Sequence, residues 1–317
     1  MIGWLRRRLH AGYERLLSRE LSAAPAAPSH VAVIQDGNRR YARSRGREST
    51  DGHRAGAETT ERVLEWCHEI GVEELTLYAF STENFARPPD EREALFDLLC
   101  EKLREFADAD RVHEEGVCIR AIGDVDRLPK RVREAVDYAE ERTESYDRFV
   151  LNVALAYGGR AELLEAARSV ARDVDSGELD PDEIDVETIE ARLYDRPVRD
   201  VDLIIRTGGD ERTSNFLPWH ANGNEAAVYF CAPHWPAFSR ADFLRAVRTY
   251  EHREASWRRA RARRAIALLG AVGEPELAEA RAVAARFRDS LTGSERADAD
   301  ELAPDDFAGE AGNRPAD

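Results

Sequence analysis

Short β-branched runs alternate with longer stretches of helical spacing over about 200 residues from residue 30. The clearest run is Val31-Ala32-Val33-Ile34, apolar at every position and so suited to a strand buried on both faces. A helix is predicted over about 55–70, where Val63, Trp66, Cys67 and Ile70 recur at i, i+3, i+4 and i+7, and Gly71 stands where a C-terminal cap prefers glycine. Leu75–Phe80 reads as the next strand, and 90–108 as a helix with Leu95, Leu98, Leu99 and Phe106 on one face. Strands over Val117–Ile122 and Phe149–Leu155 enclose a helix over about 128–143, and another helix follows over 161–173. The acidic stretch 174–190 carries turn signals and a short helix. Val201–Ile205 and Ala226–Phe230 are the last strands, and Ser239 is placed to cap a helix beginning near Ala241. This alternation predicts an α/β fold: a single domain with a mostly parallel central sheet flanked by helices.

The two ends read differently. Residues 1–22 place Ile2, Trp4, Leu5, Leu9, Tyr13, Leu16 and Leu17 at helical spacing, with five arginines against two glutamates. A basic amphipathic helix of this kind can lie on an anionic membrane surface as a peripheral contact, or pack on its own domain or a partner subunit. Both readings stand at this point. Ser22–Ser29, with Pro25 and Pro28, is a linker. From Asp289 onward nine acidic residues face two basic ones among small and turn-forming neighbours, the composition of a disordered tail. The expected organisation is therefore 1–29 as helix and linker, 30–288 as the main domain and 289–317 as tail.

Composition narrows the setting. The chain of 317 residues is 43% hydrophobic and 34% charged, enough to bury a sizeable core beneath an ionised surface. Its formal net charge is −16, lysine occurs only at 102 and 130, and mean hydropathy is −0.57. Such acidic, lysine-poor composition fits a high-salt cytoplasm, where dense carboxylates keep proteins soluble. With no long basic stripe beyond the N-terminus, nucleic acid is not expected as a partner. Cys67, Cys100, Cys118 and Cys231 are scattered in apolar contexts, as reduced buried thiols of a cytoplasmic protein would be. The sequence shows no plausible signal peptide and nothing near the roughly 18 apolar residues of a membrane span.

The candidate chemistry sits where strands end. Gln35-Asp36-Gly37-Asn38-Arg39-Arg40 follows the first strand, Ser81-Thr82-Glu83-Asn84 the second, and Arg206 to Asn215 the fifth. In a parallel sheet these ends share one edge and can converge on one cleft. Glycine admits close backbone approach, arginines grip phosphate oxygens in pairs, and Asp36 can hold a divalent metal. That chemistry suits a magnesium diphosphate. Taken alone, the first cluster is equally an ordinary βα turn with an Asx cap and solvated arginines. No phosphate-binding GxxxxGK[ST] loop, no GxGxxG after a strand and no nucleophile elbow is present.

The blocks HVAVIQDGNRRYA, GHRAGAE, LTLYAFSTENFARP, LNVALAYGGR, DLIIRTGGDERTSNFLPW and Glu225 with the later YFCAPHWPAF resemble, in order, the cis-prenyltransferase family, the undecaprenyl or polyprenyl diphosphate synthases. The resemblance runs from His30 to Arg253. It implies a homodimeric, Mg²⁺-dependent enzyme that condenses isopentenyl diphosphate onto an allylic diphosphate primer, making a lipid carrier for glycan assembly. In a high-salt archaeal host, geranylgeranyl diphosphate is a reasonable primer. By resemblance, Asp36 is the essential metal-binding aspartate, and Gly37, Asn38, Arg39, Arg40 and Tyr41 form the primer's phosphate loop. His53 matches the histidine of a Gly-His pair. Ser81, Thr82, Glu83 and Asn84 match a loop closing over substrate, with Asn84 assigned to proton removal, and Phe85 and Arg87 follow. Arg206, Arg212, Thr213 and Ser214 correspond to the isopentenyl diphosphate site, and Glu225 to an acid completing the metal site across the dimer.

Two features depart from the family pattern. Ser49 stands where many members carry an arginine, for which Arg45 or Arg47 could substitute, and two extra residues separate Glu225 from Tyr229-Phe230. The family's apolar tunnel would fall between the sheet and the helices over 57–70 and 90–108. A short-chain synthase and a non-catalytic partner subunit are the rival readings.

Overall fold

The computed structural model describes residues 12–18, 27–193, 199–220 and 226–269, with side chains through residue 263. Six strands form one sheet: β1 (His30–Ile34), β2 (Glu74–Tyr78), β3 (Val117–Ile122), β4 (Phe149–Ala154), β5 (Leu203–Arg206) and β6 (Ala227–Phe230). They lie in the order β3-β4-β2-β1-β5-β6, and every pairing is parallel. Parallel neighbours need crossovers, and from β1 onward the α-helices are α1 (Asn38–Arg43), α2 (Ser49–Ile70), α3 (Pro89–Asp108), α4 (Asp110–Glu115), α5 (Lys130–Thr143), α6 (Gly159–Ser176), α7 (Val186–Leu193) and α8 (Arg240–Leu269).

β1 is covered on both faces, as its unbroken apolar run implies. Val31 and Val33 point into a large cluster with Trp66, Phe96 and Leu151, while Ala32 and Ile34 point into a second cluster with Tyr157, Phe216 and Leu217. The chain leaves β1 toward β2 on one side and leaves β5 toward β6 on the other. The carboxyl ends of β1 and β5 therefore flank a topological switch point, where open α/β sheets leave a crevice. Register fixes what meets there, because Ile34 pairs with both Tyr78 and Arg206, and Tyr78 with Ala154.

α2 begins at Ser49, earlier than its apolar spacing predicts. Its first turns bury Gly52 and Gly56 rather than large side chains. A Cβ on Gly52 would lie 2.1 Å from the Asn38 carbonyl oxygen, so the missing side chain is what lets α2 close onto α1. Gly71, at φ +81°, ends the helix in the left-handed conformation that the sequence predicts. Ser239 Oγ accepts from the Asp242 N–H at the start of α8 at 3.3 Å, again as the sequence predicts.

The chain divides into a compact unit of residues 1–250, which carries the sheet, and a second of residues 251–317. Within the second, Arg261 stacks on Trp257 at 4.5 Å. Of the N-terminal amphipathic stretch, residues 12–18 are helical. Leu17 is buried, Leu16 is 65% exposed, and the Tyr13 ring stacks with Arg245 of α8 at 5.1 Å. No helix among the described residues is long and apolar enough to cross a membrane. The expected tail from Asp289 lies outside the described residues.

Candidate active site

Asp36 leaves β1 two residues past its end, and the turn it occupies is tied down by backbone. Its N–H reaches the Ile34 carbonyl at 2.9 Å, and its own carbonyl accepts from Trp235 N–H at 2.9 Å and Thr207 Oγ1 at 2.8 Å. Gly37 follows at φ +100°, where a Cβ would meet His234 Nδ1 at 2.6 Å, so both conformation and space require glycine. Tethered this way, the Asp36 carboxylate faces the switch point. Arg206 Nη2 donates to Asp36 Oδ2 at 2.9 Å and Arg40 Nη2 to Asp36 Oδ1 at 3.0 Å. Burial works against the Asp36 charge, but these two guanidinium groups outweigh it and hold the carboxyl below its ordinary range.

Arg206 is the hub. It is 3% exposed, and Nη2 also donates to Asp210 Oδ2 at 2.9 Å while Nη1 reaches the Arg212 carbonyl and Ser214 Oγ. Asp210 takes a second guanidinium, from Arg212 at 3.0 Å. Ser214 and Asn215 adopt φ of 50° and 61°, a strained conformation that turns the Ser214 hydroxyl back toward Arg206. Asp210 was not singled out by sequence reasoning. It sits in a polar string with no periodicity, and only the buried arginine beside it marks it. Asp36 and Asp210 thus bring two hard oxygen donors to one guanidinium nitrogen, a donor set suited to Mg²⁺. Glu225, the acid expected to complete the metal site with Asp36, lies outside the described residues.

Opposite this pair, Ser81 and Asn84 cap one another: the Ser81 N–H donates to Asn84 Oδ1 at 3.0 Å in a short 3₁₀ turn. Arg87 and Arg39 both approach Glu91, at 3.0 and 3.7 Å. Arg87 also lies 3.5 Å from His53 Nε2. Burial first, then Arg87 and Arg39, push the His53 pKa down to about 4, so its ring is neutral at ordinary pH.

These groups line one end of a cleft of about 590 Å³. Its other end runs between the sheet and α3 and is apolar, lined by Leu95, Leu98, Leu99, Leu103, Phe106 and Ile119. Seven cationic side chains and three carboxylates line the whole, a local positive excess of four in a chain of net −16. Of the sequence-predicted residues, Asp36, Gly37, Asn38, Arg39, Arg40, His53, Ser81, Glu83, Asn84, Arg87, Arg206, Arg212 and Ser214 line it.

Four others do not. Tyr41 stacks under Arg45 at 3.7 Å, Phe85 packs on Phe80 at 5.0 Å, Thr82 lies against Gly158, and the Thr213 carbonyl accepts from the Phe216 N–H. Val63 and Trp66, on the helix expected to flank the tunnel, are core, with Trp66 packed on Phe243 at 5.9 Å. Arg45 and Arg47, the expected substitutes at Ser49, also lie off the cleft, because α1 ends at Arg43 and the chain turns away. Arg43 itself lines it.

A profile of the prenyltransferase family described as undecaprenyl diphosphate synthase matches residues 34–258. A tritrans,polycis-undecaprenyl-diphosphate synthase (geranylgeranyl-diphosphate specific) of Halobacterium salinarum is 69% identical, over 89% of this chain and 92% of its own. A protein of the same description from Haloarcula marismortui is 62% identical over 92% of this chain and 95% of its own. Among solved structures, lavandulyl diphosphate synthase from Lavandula x intermedia, in complex with dimethylallyl diphosphate, is 34% identical. It superposes with a TM-score of 0.64 over 71% of this chain and 95% of its own.

Proposed function

The chain belongs to the undecaprenyl diphosphate synthase family of prenyltransferases, and on that footing we propose that its cleft condenses isopentenyl diphosphate units onto geranylgeranyl diphosphate, each with a cis double bond, to make a long polyprenyl diphosphate. One observation carries the reading. The buried Arg206, joined to Asp36 and Asp210, closes the polar end of a cleft whose other end is apolar. An amphiphile with a diphosphate head and a hydrocarbon tail is what such a cleft fits.

Gly37, Asn38, Arg39 and Arg40 hold the primer's diphosphate, the glycine allowing close approach and the guanidinium groups supplying charge-assisted hydrogen bonds. Arg206, Arg212 and Ser214 hold the isopentenyl diphosphate head on the β5 side. Binding both heads on one sheet edge brings the reacting carbons together and removes the entropy cost of their encounter. Asp36 with Asp210 would hold Mg²⁺, which would supply positive charge to the diphosphate leaving with the electron pair of the allylic C–O bond. Arg39 and Arg40 add to that charge from fixed positions, which costs no reorganisation during reaction. Asn84, fixed by the Ser81 N–H, takes part in removing the proton lost from the isopentenyl unit. The growing tail passes along the apolar face of α3.

The test is incubation of the purified protein at high salt with Mg²⁺, labelled isopentenyl diphosphate and geranylgeranyl or farnesyl diphosphate, followed by sizing of the dephosphorylated products. A long product is expected. A product of one or two added units would replace the reading with a short-chain synthase, and no incorporation by folded protein would overturn it.

A further inference from the structure

Six arginines line the cleft: Arg39, Arg40, Arg43, Arg87, Arg206 and Arg212. Five stand within 3.7 Å of a carboxylate: Arg39 and Arg87 at Glu91, Arg40 at Asp36, Arg206 at Asp36 and Asp210, and Arg212 at Asp210. Arg43 is exposed and has no acidic partner among the described residues. In a chain with 62 acidic residues, an arginine left unmatched at the rim of a cleft is a specific arrangement.

Its position makes the arrangement more pointed. Arg39, Arg40 and Arg43 fall at i, i+1 and i+4 of α1, so Arg43 is a surface neighbour of both. Like charges at that spacing repel one another. An anion lying along the rim would relieve the repulsion and complete a three-guanidinium grip. Long-range attraction is not the purpose, because in a medium near 1 M salt charges are screened beyond about 3 Å. The group must act by contact.

We propose that Arg43 binds the diphosphate of the allylic substrate directly, as the outermost of three arginines on α1, and thereby keeps the growing chain bound between condensations. The inference rests on the reading of the cleft given above and adds a residue to it. Isopentenyl diphosphate, held from the β5 side by Arg206 and Arg212, is not touched. The same anion chemistry could be met by a lipid headgroup at the cleft mouth, so the test separates the two sources.

The experiment compares wild type, Arg43→Gln, Arg43→Lys and Arg47→Gln, the last replacing an exposed arginine of the same segment that lies off the cleft. Binding of farnesyl S-thiolodiphosphate, which does not react, is measured by titration, alongside KM for each substrate, product length, and sedimentation with anionic phosphatidylglycerol vesicles. The expected result for Arg43→Gln is roughly tenfold weaker analogue binding and a similar rise in primer KM, with KM for isopentenyl diphosphate unchanged and products shortened. Arg43→Lys should restore part of the binding and Arg47→Gln should match wild type. Unchanged analogue binding in Arg43→Gln would overturn the proposal, as would a loss confined to vesicle sedimentation, which would assign the contact to a lipid headgroup. Wild type that binds the analogue but forms no product would overturn the proposed function while leaving the Arg43 contact to be judged by binding alone.

Discussion

Asp36 and Arg206, 170 positions apart in the chain, meet at 2.9 Å because Ile34 and Arg206 are in register on adjacent parallel strands. The contact follows from sheet pairing. Two strands that diverge in connectivity at the switch point deliver an acid and a base to the same crevice. Asp210 joins the same guanidinium from the loop beyond β5.

Replacing Arg206 tests the hub. Arg206→Lys keeps the charge but loses the planar fork that spans Asp36, Asp210 and Ser214. We expect kcat/KM for isopentenyl diphosphate to fall at least about 100-fold, roughly 2.7 kcal/mol at 1.36 kcal/mol per decade. Retained folding by circular dichroism would show that the loss is local, and activity within threefold of wild type would contradict the hub assignment.

Gly52→Ala tests the close approach of α2 to α1. The added methyl would lie 2.1 Å from a backbone oxygen, which cannot rotate away as a side chain could. The helices must part, moving the Asn38 end of the phosphate loop. Primer binding should weaken at least tenfold and Tm should drop by several degrees. Gly12→Ala, with open space around it, should change neither.

Stability should fall with acid. His30, His53 and His220 are all pushed down to about 4, in each case chiefly by burial. Their folded pKa values lie below the ordinary 6.5, so the unfolded chain binds more protons as pH falls. Their contribution is complete above about pH 6.5 and is lost progressively down to about pH 4. Thermal unfolding followed from pH 7.5 to 4.5 should show Tm declining through that window, and a flat profile would contradict these assignments.

Salt should act in the opposite sense. A net charge of −16 opposes compaction, and screening relieves it. Raising KCl from 0.1 to 3 M is expected to raise Tm by more than about 10 °C, since surface repulsion is screened across that range. Full stability and activity in dilute buffer would remove the high-salt reading of the composition.

The strands were legible because each is a short apolar run closed by polar or glycine-rich residues, and two-faced burial of β1 follows from its lack of alternation. α1 was not legible. Its six residues, Asn38–Arg43, contain Arg39, Arg40 and Arg43 and no apolar stripe, so its helicity follows from docking against α2 through Gly52. The tunnel was half legible. Periodicity puts Leu95, Leu98 and Leu99 on one face of α3 but does not say whether that face meets side chains or open space, and Val63 and Trp66 met side chains. Asp210 and Arg43 were passed over for a related reason: an acid becomes a metal ligand, or an arginine an anion contact, through partners that only the folded chain brings near.

Asp36 and its arginines are proposed to run the condensation on a diphosphate. The most direct measurement is incorporation of labelled isopentenyl diphosphate, with geranylgeranyl diphosphate and Mg²⁺ at high salt, by wild type and by Asp36→Ala shown to be folded. A long product from wild type that is lost by a factor of about 1,000 or more in the variant, about 4 kcal/mol of transition-state stabilisation, is the predicted result. Equal product from both proteins would show that Asp36 has no part in the condensation.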